Sequence, residues 1–153
     1  GEADAADVER HGAGAVTVEG ACLCGAVRYR VDGGVGTVDH CHCSMCRRQH
    51  GAAFASYADC EPSAFSWVTG ADRVAVYALG SGAGWAFCRT CGSTLAGTTD
   101  GAVTSIALGT VVGDPGVRPG GHIFVGSKAA WYDIADTLPQ FTARPGPEGP
   151  TGD

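Results

Sequence analysis

Apolar and polar residues alternate along much of the chain with a period of two, which predicts short β-strands. The clearest case is 26–31, where every second position is apolar. Further strands are predicted, from alternation or from short apolar runs, at residues 16–20, 52–57, 65–68, 74–79, 85–87, 93–97, 103–108 and 122–125. The single helix expected is a short one that starts within 46–50. The pattern therefore predicts a mainly β protein.

The composition supports this prediction, because 25 of the 153 residues are glycine and only 17% are charged. Asp100 and Gly101 form a dipeptide that is typical of tight hairpins. We therefore expect 93–97 and 103–108 to pair across that turn. No apolar run approaches the roughly 18 residues that a membrane helix needs, so no membrane association is expected.

The length of the chain predicts a single domain with its own hydrophobic core, and no linker divides it. Residues 1–16 are expected to be a flexible leader, and the Pro/Gly-rich residues 144–153 a flexible tail. Between them, residues 17–143 are expected to form one β domain. Trp131 and Tyr132, which follow the last predicted strand, are expected to dock on its core.

The acidic balance of the chain argues against a nucleic-acid partner. Its formal net charge is −6 and its isoelectric point is near 5.2, so a phosphate backbone would repel it. Residues 1–14 have neither a basic start nor the apolar core of a secretory signal. A reducing compartment keeps cysteines as thiols, and the chain has eight of them. We therefore expect a cytoplasmic protein that binds no nucleic acid.

Seven of the eight cysteines lie in three short clusters, which predicts bound metal. The clusters are the pair Cys22 and Cys24, the thiol trio Cys41, Cys43 and Cys46, and the pair Cys88 and Cys91. Zinc is tetrahedral and prefers thiolate ligands, so two pairs from distant segments can complete one structural site. We therefore assign the first and last pairs to one zinc ion. The alternative, a redox-active Cys88–Cys91 pair, would need a βαβ pattern around it, and none is present.

The thiol trio then lacks an obvious fourth ligand. Three protein ligands with one exchangeable position are the arrangement of catalytic zinc. The alternative is a closed structural site with His40, His42 or Cys60 as the fourth ligand. His42 suits this role poorly because it cannot easily point the same way as both of its neighbours, and Cys60 is interpreted as an inert buried thiol. His40 and His50 are the candidates for a general base.

The clusters and their flanking residues resemble a known family, the glutathione-dependent formaldehyde-activating enzymes, which are related to centromere protein V. The resemblance spans roughly residues 18–141, which is the range of the strand signals. Its four segments are Gly20-Ala21-Cys22-Leu23-Cys24-Gly25-Ala26-Val27-Arg28-Tyr29, Cys41-His42-Cys43-Ser44-Met45-Cys46-Arg47-Arg48, Phe87-Cys88-Arg89-Thr90-Cys91-Gly92-Ser93 and His122-Ile123-Phe124-Val125-Gly126-Ser127-Lys128-Ala129-Ala130-Trp131. The three cysteine clusters in this order are specific as a set.

The resemblance implies a β-tent fold, similar to that of methionine-R-sulfoxide reductases, in which small antiparallel sheets are stapled by zinc. It implies a structural zinc on the two cysteine pairs and a second, labile zinc on the thiol trio. The implied activity is carbon–sulfur lyase chemistry, the reversible addition of glutathione to formaldehyde. One position departs from the family: members often carry a basic residue two places before Phe87, where this chain has Trp85. Trp85 either fills the core or reshapes the pocket.

From this resemblance we expect a zinc-dependent carbon–sulfur lyase-type enzyme that acts on a thiol–aldehyde adduct. The expected catalytic residues are Cys41, Cys43, Cys46 and Arg47. Zinc is the expected cofactor, with glutathione or another low-molecular-weight thiol as co-substrate. A substrate carboxylate would bind Arg47, Arg48 or Lys128. Two alternatives remain open: other zinc chemistry on a small metabolite, such as cyclisation or hydrolysis, and a zinc scaffold without enzymatic activity.

Overall fold

A computed structural model describes residues 16–145, so nearly all of the predicted leader and most of the predicted tail lie outside the described residues. The strands in this range are β1 (Thr17–Ala21), β2 (Arg28–Asp32), β3 (Val38–Cys41), β4 (Ala55–Asp59), β5 (Phe65–Thr69), β6 (Val74–Ala78), β7 (Ala83–Cys88), β8 (Thr94–Thr99), β9 (Ala102–Ala107) and β10 (Gly121–Ile123). One α-helix, α1 (Ser44–His50), joins β3 to β4. Short 3-10 helices are Pro62–Ala64, Ala71–Arg73, Leu108–Thr110 and Val125–Ser127. No helix of the described range is long and apolar enough to cross a membrane.

The strands form two sheets. Strands β1, β2 and β5 make a three-stranded antiparallel sheet. The other seven strands make the larger sheet, in the order β10-β3-β4-β9-β8-β7-β6. Its pairs are antiparallel except for β3 and β10, which run parallel with Cys41 opposite Ile123. The mainly β fold predicted from the sequence is confirmed, with this parallel pair as an addition.

A buried core joins the two sheets. Its members that are at most 2% exposed include Val18, Val27, Tyr29, Val31, Leu95 and Ile106. The Tyr29 ring passes so close to Gly20 on β1 that a Cβ added at Gly20 would lie 2.1 Å from the ring. Only glycine permits this approach, and the Tyr29 hydroxyl then reaches Thr110 Oγ1 at 2.8 Å. The small sheet is therefore fixed to the 3-10 helix that follows β9.

The predicted hairpin between β8 and β9 is confirmed. Asp100 and Gly101 are its two turn residues, and their φ angles are 50° and 86°. Positive φ at both central positions gives the turn a twist that matches the twist of the flanking strands. The Asp-Gly dipeptide therefore fixes the register of this hairpin.

Two predicted boundaries move for identifiable reasons. The last strand ends at Ile123, because Phe124 adopts φ 57° and turns the chain out of the sheet. The helix begins at Ser44 rather than within 46–50, because the side chain of Cys43 caps it. Cysteine is not among the residues that usually mark an N-cap, so Cys43 is not recognisable from sequence as the start of the helix.

The expected docking of Trp131 on the core is wrong, whereas Tyr132 does contact the protein interior. Trp131 is 72% exposed, and Tyr132 is half-buried with its ring centroid 5.6 Å from that of Phe54. The backbone N–H of Tyr132 donates to Ala129 O at 3.2 Å and closes a turn. Neighbouring side chains on a turn point in different directions, so only one of the two faces the protein.

Candidate metal centres

The two cysteine pairs assigned to one zinc ion come together in the structure. Cys22 and Cys24 follow β1, while Cys88 ends β7 and Cys91 lies in the turn before β8. Their four Sγ atoms all lie within 4.8 Å of one another, a separation that one tetrahedral ion can bridge. The backbone N–H of Val27 donates to Cys22 Sγ at 3.3 Å. This donor set fits zinc.

Ser93 supports both turns that carry these pairs. Its Oγ accepts the backbone N–H of Leu23 at 2.9 Å and lies 3.2 Å from Cys91 Sγ. Hydrogen bonds from the Ser93 hydroxyl and then from backbone N–H groups lower the pKa of Cys91 to about 5. Gly25 and Gly92 follow the second cysteine of each pair with φ of 80° and 82°, a conformation that glycine adopts without strain. The local sequence therefore shapes each turn to direct donors at sulfur.

The thiol trio forms a second cluster at the junction of β3 and α1. The Sγ atoms of Cys41, Cys43 and Cys46 lie within 4.8 Å of one another, and each residue is at most 9% exposed. Cys43 is the N-cap of α1, because its Sγ accepts the backbone N–H of Cys46 at 3.3 Å. Hydrogen bonds from the other two thiols, and then from backbone N–H groups, hold the pKa of Cys43 well below its ordinary value. The trio is thus a buried set of thiol ligands built on one short loop.

Within residues 16–145, no His, Asp, Glu or further Cys offers a ligand atom within 4.8 Å of all three trio sulfurs. The proposed fourth ligands of a closed site have other neighbours. Nδ1 of His40 lies 2.8 Å from Ser56 Oγ. Nε2 of His42 lies 2.8 Å from His122 Nδ1, and the half-buried Cys60 packs against the main core. The described part of the chain therefore supplies three ligands to this site.

One side of the thiol trio is formed by Tyr57 on β4, a residue that no sequence motif marks. Its half-buried ring packs against the cluster that contains the trio. Its hydroxyl lies 2.7 Å from Nε2 of His50 and hydrogen-bonds the side chain of Trp85, which is 9% exposed. Burial, and then the charge of the nearby thiolates, raises the pKa of Tyr57, so the hydroxyl keeps its proton. Trp85 is therefore a core residue that also supports a wall of the site.

Two of the three cations expected to bind a substrate carboxylate are engaged by the backbone. Nε of Arg47 donates to Ser127 O at 3.1 Å, which ties α1 to the 3-10 helix after β10. Nζ of Lys128 donates to Ala129 O at 3.1 Å and to Tyr132 O. The third cation, Arg48, is exposed on α1. The structure thus ties the Arg47 side chain of α1 to Ser127 and turns Lys128 toward its own loop.

Behind the trio loop, a chain of hydrogen bonds runs through two buried histidines. His42 is 0% and His122 is 1% exposed, and Nε2 of His122 lies 3.1 and 3.0 Å from the two carboxylate oxygens of Asp136. The hydrogen bond from His122 lowers the pKa of Asp136. Burial, and then the charges of His122 and His40, lowers the pKa of His42 to about 4, so its imidazole is neutral. Asp136 carries no motif, and only the tertiary structure shows its link to His42.

Comparison with known proteins gives a family for this chain. A crystal structure of a Rhodobacter sphaeroides protein from a structural genomics programme is 30% identical, covering 66% of this chain and 91% of that one, with a TM-score of 0.49. No curated protein matches the chain significantly. The sequence profile of the family described as glutathione-dependent formaldehyde-activating enzyme matches residues 17–127, a range that includes all three cysteine clusters. Since this match covers well over half of the chain, the protein belongs to the glutathione-dependent formaldehyde-activating enzyme family.

Proposed function

We propose that the protein is a zinc-dependent, carbon–sulfur lyase-type enzyme that acts on a thiol–aldehyde adduct, in the manner of an S-hydroxymethylglutathione synthase. The observation that carries the proposal is the thiol trio, in which three buried sulfurs converge and no fourth described side chain joins them. A purely structural zinc site would be closed by four protein ligands, and the four-thiol site, made of Cys22, Cys24, Cys88 and Cys91, offers that number. The chain belongs to an enzyme family, which supports a catalytic role for the site that has only three protein ligands.

The donor chemistry of the trio fits zinc. Thiolates are soft ligands, and hydrogen bonds from the other two thiols lower the pKa of Cys43, while the same contacts raise the pKa of Cys41 and of Cys46. Negative charge is therefore favoured on the Cys43 sulfur before any metal binds. Zinc bound there would act as a Lewis acid that lowers the pKa of a substrate thiol or polarises a carbonyl oxygen. Cys41, Cys43 and Cys46 would hold it, and the second zinc ion would be held by Cys22, Cys24, Cys88 and Cys91.

The proposed reaction adds a thiol across an aldehyde. A carbon–sulfur bond forms, the carbonyl π bond breaks, and the thiol proton ends on the new hydroxyl. His50 is the better of the two candidates to carry this proton, because Tyr57 links it to the trio's cluster, whereas His40 bonds Ser56. Arg47, a residue of α1 whose side chain is held by Ser127 O, is the proposed site for a carboxylate of the substrate.

The wall made by Tyr57 and Trp85 favours a second candidate, in which the same site performs cyclisation or hydrolysis on another small metabolite. This wall offers aromatic surface and one hydroxyl. Lys128, one of the cations expected to attract a carboxylate-rich thiol, is bonded to backbone carbonyls instead. The substrate of this chain would then be less acidic than glutathione.

The test combines metal analysis with a substrate screen on the zinc-loaded protein. We expect two zinc ions per chain, one resistant to chelators and one easily removed, and turnover that is lost with the labile ion. Formaldehyde with glutathione is tested first, and aldehydes with other low-molecular-weight thiols follow, each with and without the thiol. Zinc-free protein with disulfides in place of the clusters would refute the proposal. Turnover of a metabolite without any thiol would favour the second candidate.

The setting that we propose for this enzyme is the cytoplasm, because the trio binds metal only while its sulfurs stay reduced. Its proposed partner is a small molecule rather than a nucleic acid, since the net charge is −6. The cellular location of a fluorescent fusion tests the first proposal. A gel retardation assay with DNA and RNA tests the second, and no shift is expected.

A further inference from the structure

We propose that Asp136 and His122 form a hydrogen-bonded strut that positions His42 and thereby sets the metal affinity of the thiol trio. The inference rests on the proposed function in one respect, namely that the trio binds zinc. The strut is defined by Asp136, His122 and His42. The affinity of the trio for the labile ion then depends on a segment that is remote in sequence from the thiols.

His42 stands between Cys41 and Cys43, so its backbone conformation sets how these two sulfurs are spaced. Its backbone N–H donates to Ile123 O at 2.9 Å, which extends the parallel pairing of β3 and β10 by one residue. Its ring packs against Phe54, with ring centroids 5.0 Å apart. A shift of this buried ring would therefore move the backbone that carries both sulfurs.

Only one hydrogen bond orients the His42 ring in the described structure. Nδ1 of His42 is buried and has no partner among the described residues, whereas Nε2 lies 2.8 Å from His122 Nδ1. Loss of His122 as a partner would leave both ring nitrogens buried and unsatisfied, which is unfavourable for a polar group removed from water. The ring would then reorient to recover a partner, so its native position depends on His122.

His122 is in turn oriented by Asp136. A carboxylate only accepts hydrogen bonds, so Nε2 of His122 is the donor to Asp136, at 3.0 Å from Oδ2. Since Nε2 of His122 carries the proton given to Asp136, we infer the tautomer in which its Nδ1 accepts the Nε2–H of His42. This order of donors gives His42 a proton on Nε2 and a lone pair on Nδ1. The neighbouring His40 ring does not compete, because its Nδ1 is bonded to Ser56.

The outer end of the strut lies near the surface. The Asp136 side chain is 46% exposed, and its Oδ1 also accepts the backbone N–H of Leu138 at 3.0 Å. The carboxylate therefore fixes the loop after Tyr132 as well as the His122 ring. Partners that support a ligand from outside its first coordination sphere typically change metal affinity by about 10- to 100-fold when they are mutated. The exposed position of Asp136 allows it to be changed without opening the core.

The test compares zinc affinities of both sites, measured by competition with chromogenic chelators, in the parent chain and in three variants. Asp136→Ala should weaken the labile site about 10- to 100-fold and leave the chelator-resistant site unchanged. Asp136→Asn should weaken it less, because the amide oxygen still accepts from His122. Asp133→Ala, an exposed change in the same loop, should bind both ions as the parent does. Equal affinity in Asp136→Ala and the parent would overturn the inference, as would parallel weakening of both sites.

A second measurement separates positioning from general destabilisation. Nitrogen-15 NMR of the imidazoles reports which ring nitrogen carries the proton, and His42 should show an unprotonated Nδ1 in the parent and a mixture of tautomers in Asp136→Ala. A protonated Nδ1 in the parent would contradict the donor order. A parent chain whose trio binds no zinc would end the proposed function together with this inference. Two tightly bound ions in every variant would end this inference alone.

Discussion

Substitution of Cys43 separates the two roles of its sulfur, metal binding and helix capping. In Cys43→Ser, the hydroxyl can still accept the backbone N–H of Cys46, which the sulfur accepts at 3.3 Å, and serine is a preferred N-cap residue. It cannot supply the thiolate. In Cys43→Ala, both the thiolate and the cap are lost. Both variants should therefore lose the metal at this site, whereas only Cys43→Ala should also lose the helix cap.

The expected magnitudes follow from the structure. Both variants leave two thiols in the trio, so each should hold one zinc ion per chain and lose turnover. Loss of the cap should cost Cys43→Ala about 1 kcal/mol of unfolding free energy relative to Cys43→Ser. For a domain of this size the difference corresponds to a melting temperature lower by about 2–4 °C. Because α1 has only seven residues, it cannot be stable by itself, so loss of the cap should be measurable in the unfolding of the whole domain.

The assay combines zinc analysis, turnover and thermal unfolding, with both variants loaded at the same zinc concentration. Cys60→Ser is the matched control, because Cys60 lies outside both sulfur groups and should leave two zinc ions and full turnover. Loss of both ions in Cys43→Ser would refute the separation of the two sites. Equal melting temperatures of Cys43→Ser and Cys43→Ala would refute the capping role.

Two further changes test the fold and its pH dependence. Gly20→Ala should lower the free energy of unfolding, measured in urea, by about 1–3 kcal/mol, because its Cβ would overlap the buried Tyr29 ring. Gly80→Ala is the control, because a Cβ at Gly80 meets no atom within 4 Å. Equal stability of the two variants would contradict the close approach of Tyr29 to Gly20. Burial lowers the pKa of His50, so its contribution to stability is present above about pH 6.5 and is lost as the pH falls through the lowered value. The parent should therefore lose more stability than His50→Gln between about pH 7 and 5.5; parallel losses would contradict this.

Local signals account for the parts of the fold that were predicted correctly. Alternation over 26–31 predicts β2, and the Asp-Gly dipeptide predicts the turn between β8 and β9, because each depends on neighbouring residues alone. The grouping of thiols was also predictable, since short cysteine spacings leave few ways to satisfy a tetrahedral ion. These features need no knowledge of how distant segments meet.

The remaining features depend on contacts between distant segments. Asp136 and His42 meet through His122, across a separation of 80 residues between the histidines, and no pattern in the sequence links them. Tyr57 reads as one aromatic residue in a strand, and its place beside the trio depends on the pairing of β3 with β4. Trp131 is exposed because it lies in the turn that Tyr132 N–H closes with Ala129 O. The composition of this segment does not specify which side chain of the turn faces the solvent.

The parallel pairing of β10 with β3 determines the order in which a growing chain can complete its two sulfur sites. The four-thiol site is assembled from segments that have left the ribosome once Cys91 has emerged. The trio is translated earlier, but Ile123 and His122, which brace its loop, arrive much later. Its sulfurs therefore spend part of synthesis without tertiary support, and only the finished polypeptide acquires the second ion in its mature setting.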